Sequence, residues 1–159
     1  MQKGFATIEI ILVAAIISIL MTLTIPNAAR LVDRAALDYE YKRLYSELRY
    51  LQTVSRSENF TIEGVKITGL PKPNPPTMEI FAPLCRYKIV LSNDSTLVRD
   101  EYQMSPNVTS LTTPKSRIFF TNGKANITSN SIILKSRFGK ANRIVFDSVG
   151  RIRGGRADD

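Results

Sequence analysis

The sequence predicts an α+β protein: one long N-terminal helix, with a transmembrane half and an amphipathic half, packed on a small antiparallel β-sheet domain. Three observations predict it. Phe5 to Ile25 is a run of 21 residues with one charge, Glu9. Leu37, Tyr41, Leu44, Leu48, Leu51 and Val54 then recur at spacings of four and three, which draws a single apolar stripe along a helix. After Glu58 the texture changes to short β-branched runs separated by turn residues. A chain of 159 residues has room for one moderate core beside such a helix.

At 1.5 Å per residue the first run is about 30 Å long, enough to cross a bilayer core. Pro26 follows it and is expected to kink the helix or end it. Three readings of this segment stay open, the third carried by the resemblance given next. A cleaved secretory signal fits the leader Met1-Gln2-Lys3-Gly4 and a small-residue cut near Asn27-Ala28-Ala29, but the apolar run is longer than such signals need. A plain membrane anchor leaves Glu9 to be explained, because an acid deep in hydrocarbon costs about 2.5–3.5 kcal/mol on insertion scales. A third reading gives Glu9 a cationic partner on another chain.

Gly4-Phe5-Ala6-Thr7-Ile8-Glu9-Ile10 resembles the N-terminal signal of type IV pilins and type II secretion pseudopilins. The resemblance implies that a prepilin peptidase cuts after Gly4 and that Phe5 becomes the new, N-methylated terminus. It also implies that Glu9 pairs with the terminal amine of a neighbouring subunit, and that Pro26 is the helix-kinking proline. Ala6 and Ile10 depart from the commoner residues of that signal. The implied division is a leader at 1–4, a transmembrane and filament-core helix at 5–26, an amphipathic stalk at 27–58 and a β-rich domain at 59–159.

The helical pattern runs uninterrupted by Gly or Pro from Asn27 to Asn59 and is expected to end near Ser57. Arg34, Asp38, Lys42, Glu47 and Arg49 fall off the stripe, and Glu40 and Arg43, three apart, are expected to pair on the surface. Tyr39, Tyr41, Tyr45 and Tyr50 are expected to pack at the core or at an interface. Beyond the stalk, Phe60 to Thr68 alternates, and Pro71 to Pro76 reads as a proline-rich loop. Arg86 to Ser92 and Thr96 to Tyr102 read as strands, Ser105 to Pro114 as a polar loop. Arg117 to Thr121 is a strand closed by the turn pair Asn122-Gly123. Ser131 to Phe138 and Arg143 to Asp147 form a hairpin around a turn at Gly139 to Asn142. Alternation puts Ile132, Leu134, Phe138, Ile144 and Phe146 inward, with Lys135, Arg137 and Arg143 outward.

Ile118-Phe119-Phe120-Thr121-Asn122-Gly123, Ser131 to Leu134, Arg143 to Phe146 and Gly150-Arg151-Ile152 resemble the GspH/FimT group of minor pilins and pseudopilins. Many pilins close a C-terminal loop with a disulfide, which a lone Cys85 excludes here.

Composition narrows the chemistry. With no His and one Cys, a His/Cys zinc site and a His-served nucleophile cannot be built, and Cys85 reads as a buried small residue or an idle thiol. The chain shows no Gly-rich phosphate loop, and acidic pairs such as Asp100-Glu101 have no third ligand beside them. No catalytic residue, metal or cofactor is expected, and the chain is read as no enzyme. The net charge of +8 is concentrated at the end: Lys115 to Asp159 holds ten basic and three acidic residues. Arg151, Arg153 and Arg156, two or three apart on a flexible tail, suit successive phosphates, and Lys135, Arg137, Lys140 and Arg143 extend that patch.

The expected function is a minor pilin or pseudopilin subunit of a type II secretion pseudopilus or type IV pilus. Its expected place is the bacterial inner membrane, single-pass, with the β-domain outside the cytoplasm. Its expected partners are other pilin subunits, the prepilin peptidase and the inner-membrane assembly platform. The alternative is a DNA-binding minor pilin for uptake in natural transformation, since a C-terminal Gly-Arg-x-Arg stretch binds DNA in some members of the resembled group. The other readings of the same arginines are a solvated, frayed tail and a protein interface at the filament tip.

Overall fold

The computed structural model describes residues 3–56, 59–62, 65–68, 75–91 and 98–156. The protein is α+β: one long helix packed on antiparallel sheets. Helix α1 (Lys3–Val54) is continuous for 52 residues. Pro26 lies inside it and does not end it, although it removes one backbone donor.

The stripe Leu37, Leu44, Leu48, Leu51 and Val54 is buried, and Tyr41, Tyr45 and Tyr50 pack against the same core. Burying each of these aliphatic side chains contributes about 1.5–3 kcal/mol, so tertiary packing holds this half of the helix in place. Tyr39, by contrast, stays exposed.

A hairpin, β1 (Asn59–Ile62) with β2 (Val65–Thr68), occupies the run that alternates in the sequence. The proline stretch lies outside the described residues up to 74. A five-stranded sheet follows, built from β3 (Thr77–Phe81), β4 (Arg86–Val90), β5 (Val98–Gln103), β7 (Arg117–Thr121) and β8 (Lys124–Ala125), in the order β5-β4-β3-β7-β8. The second sheet has four strands, β6 (Val108–Thr112), β9 (Asn130–Ser136), β10 (Ala141–Phe146) and β11 (Ile152–Arg156), in the order β11-β10-β9-β6. The inner faces share one core with the helix stripe: Met78, Tyr87, Ile89, Ile118 and Phe120 from the first sheet, Ile132, Leu134, Ile144, Phe146 and Ile152 from the second.

Several sequence expectations are corrected. Strand β3 went unpredicted because its Met78/Ile80 alternation is short and follows Pro75-Pro76. Ser105 to Pro114 is not a loop but holds β6. A register shift between Val108 and Ser110 turns both Val108 and Leu111 inward, three residues apart, so no period of two is visible there. Its Val and Thr content favours strand despite its polarity.

Phe138 is not a core residue. Strand β9 ends at Ser136, which takes the buried position, and Phe138 stands half-exposed in the turn. The turn closes through Gly139 N–H to Ser136 O at 3.1 Å, with Gly139 at φ 81. The β10–β11 turn repeats this geometry, with Gly150 N–H to Asp147 O at 3.0 Å and φ 75. In both, a glycine supplies the left-handed residue that a three-residue hairpin loop requires. Of the C-terminal arginines, Arg153 and Arg156 therefore lie not on a flexible tail but on β11, paired antiparallel to β10 from Phe146↔Ile152 to Asn142↔Arg156, and Arg151 stands just before the strand.

Candidate functional site

The two ends of α1 live in different surroundings. From Ile8 to Val32 every residue whose side chain is described is exposed, Ile8 at 68% and Ile10 at 69% among them. Burial starts at Asp33. The protein thus extends one helix, apolar on all sides, beyond its own core. The helix is long and apolar enough to cross a membrane. Gly4 and Phe5 lie in its first turns, and Glu9 is an exposed carboxylate on this apolar rod. Among the described residues none covers this stretch.

The second half is clipped to the β-domain by polar contacts that the sequence reading missed. Asp33 Oδ2 accepts from Phe138 N–H at 3.4 Å. Asp38 Oδ1 accepts from Asn142 Nδ2 at 2.9 Å. Glu40 is corrected from a surface partner of Arg43 to a residue only 2% exposed. Its Oε1 accepts from the Tyr102 hydroxyl at 3.0 Å and from Ser105 N–H at 2.8 Å. Arg43 instead lies 3.5 Å over the Tyr102 ring, an attraction of cation to π face. Burial, then the Glu40 hydrogen bond, pushes the Tyr102 phenol above its ordinary value. At the far end Arg49 donates to Ile152 O at 3.1 Å. Gln52 donates to Gly123 O at 2.8 Å, and Gly123 N–H donates to Ser55 Oγ at 2.9 Å. These clips fix the height of each β turn along the helix. A signal for them existed: 33, 37, 40, 44, 48 and 51 share one helix face, so Asp33 and Glu40 fall on the apolar stripe.

The seven basic residues singled out in the sequence do not form one patch. Lys135, Arg143 and Arg153 lie on the outward face of the four-stranded sheet, on a diagonal across β9, β10 and β11. Lys135 pairs with Ala141 and Arg143 is two residues on, while Arg143 pairs with Gly155 and Arg153 is two residues back. Diagonal neighbours of this kind lie about 7–8 Å apart. Among the described residues no Asp or Glu shares the paired outward positions of this face. Arg137 and Lys140 lie in the β9–β10 turn, at one end of the sheet. Arg151 lies at the other end, about 20 Å away along the six residues of β10. It is held by Asp147, with Nε to Oδ2 at 2.9 Å. Its own backbone N–H is the main influence that lowers the Asp147 carboxyl below its ordinary value. Arg156 ends β11 opposite Asn142.

Cys85 is buried in a left-handed conformation (φ 46) after the 3-10 turn Ala82–Leu84, and burial pushes its thiol up, away from the thiolate a nucleophile needs. Among the described residues no group of three His, Cys, Asp or Glu side chains is placed to hold a metal ion. Comparison with protein-family models, with curated proteins and with solved structures finds no match to this chain.

Proposed function

We infer that the chain is a minor pilin or pseudopilin: cut after Gly4, methylated at Phe5 and assembled through α1 into a type II secretion pseudopilus or a type IV pilus. One observation carries the reading. The Gly4-Phe5…Glu9 signal opens a helix whose first half is apolar and uncovered, while its second half is bolted to a β-domain. Such a helix has two uses in sequence, a membrane anchor first and a filament core after. Packed among copies, Glu9 meets a terminal amine in a low-dielectric setting, where losing either partner is costly and where the pair sets register. In this reading the chain is a substrate of the prepilin peptidase and does mechanical work, with no catalysis of its own.

Mass analysis of the mature N-terminus tests it. A methylated Phe5 terminus and loss of fibre incorporation in Glu9→Ala are expected; a terminus after Ala29, or a retained leader, overturns it.

The DNA-binding reading is kept because Lys135, Arg143 and Arg153 share a face with no acid at its paired positions among the described residues, although Arg151 is already engaged by Asp147. If these cations contact phosphates, duplex affinity falls linearly in log–log with salt, and each of Arg143→Ala and Arg153→Ala lowers that slope by about 0.9. No gel shift at low salt removes this reading.

A further inference from the structure

The end of the β-domain nearest the apolar rod carries a cluster that the filament reading does not use. The β9–β10 turn is pinned beside Asp33, and a cleft there is lined by Arg30, Asp33, Arg34, Phe138 and Lys140. Arg30, Arg34 and Arg137 are exposed, and Phe138 is 50% exposed at the turn's apex. The apolar run ends at Ile25. Arg30 therefore lies about 8 Å further along the helix and Asp33 about 12 Å. The polar headgroup layer on one side of a bilayer is about 5–7 Å thick. If Ile25 marks the edge of the hydrocarbon, the turn pinned to Asp33 hangs about 5–7 Å beyond the headgroup layer, a gap that long basic side chains span.

We propose that the β9–β10 turn, together with Arg30 and Arg34, is a membrane-surface dock that rests on anionic phospholipid headgroups of the bilayer holding α1, with Phe138 entering the interface. The chemistry of the cluster points there: an exposed aromatic ringed by cations suits a surface that is apolar below and anionic above. Docking holds the β-domain at one tilt before the subunit leaves the membrane. The proposal rests on the membrane-anchor reading of α1.

The chain has no Trp, so Phe138→Trp installs a single reporter. The full-length variant is reconstituted into vesicles of phosphatidylcholine with or without phosphatidylglycerol, a fraction of the lipid carrying brominated acyl chains. Blue-shifted emission quenched by bromolipid in the anionic vesicles is expected, with the effect fading at high salt. A Val149→Trp reporter, at the opposite end of the sheet, should stay unquenched. Each of Arg30→Gln, Arg34→Gln and Arg137→Gln should lower the docked-to-undocked ratio about fivefold at low salt. A chain that floats with the vesicles, but whose Phe138→Trp emission ignores bromolipid, overturns the dock alone. Failure to float overturns the dock and the anchor together. Emission that answers only to added duplex DNA overturns the dock in favour of a nucleic-acid surface.

Discussion

Gly154 on β11 faces Tyr41 of the helix, and a Cβ built there would overlap the Tyr41 hydroxyl oxygen and lie 3.1 Å from its Cζ. The backbone of Gly155 hydrogen-bonds the same oxygen. Gly154→Ala therefore forces the phenol aside at the junction between α1 and the sheet edge. Overpacking of this kind costs about 1–3 kcal/mol. The strand itself would gain about 0.5–1 kcal/mol from replacing Gly with Ala, since no positive φ is needed there. A net loss of up to about 2.5 kcal/mol is expected. Tyr41→Phe alone loses one hydrogen bond, about 1 kcal/mol. In that background the overlap with oxygen is gone and only the tight Cζ contact remains, so Gly154→Ala should cost less than half as much. The coupling should exceed the scatter of independent sites, about 0.3–0.5 kcal/mol, which a double-mutant cycle resolves. Urea unfolding of a fragment starting at Arg30 is the assay, since burial begins only at Asp33. Equal costs in the two backgrounds, or a stabilised Gly154→Ala, would refute the packing argument.

Glu40→Ala strands the Tyr102 hydroxyl and Ser105 N–H, both part-buried, and is expected to cost about 2–4 kcal/mol, against a few tenths for Lys42→Ala on the same helix; thermal unfolding separates the two. Tyr41 and Tyr102 are raised above the ordinary phenol value, mainly by burial. The neutral forms are thus favoured in the fold: their contribution is present below a pH of about 10 and is lost as pH rises through the folded values, so stability should fall in that alkaline window and less so in Tyr102→Phe, read by phenolate absorbance. Asp147 is lowered, first by the Arg151 backbone N–H, and Arg151→Ala should leave its carboxyl still below the ordinary value because the bonds from the backbone N–H of residue 151 and of Val149 survive. Its contribution is present above a pH of about 4 and is lost as pH falls through the folded value; carboxyl NMR titration showing an ordinary Asp147 in that variant would contradict the assignment.

Local chemistry was legible in the sequence. Periodicity named the buried helix face, because a helix repeats its faces every 3.6 residues however the rest of the chain folds. The apolar run and Glu9 were visible without any fold, as were the Asn122-Gly123 turn and the alternation of Ile132, Leu134, Ile144 and Phe146. Tertiary structure decided the remainder. A bulge hid β6, because an extra residue cancels the period that betrays a strand. Glu40 looked like a surface acid until two donors at the end of β5 and just beyond it, 62 and 65 residues away, enclosed it. The seven cations read as one patch along the chain, but hairpin pairing separates them into a face and two ends. Sequence distance measures reach along the backbone, whereas strand register decides which charges stand side by side.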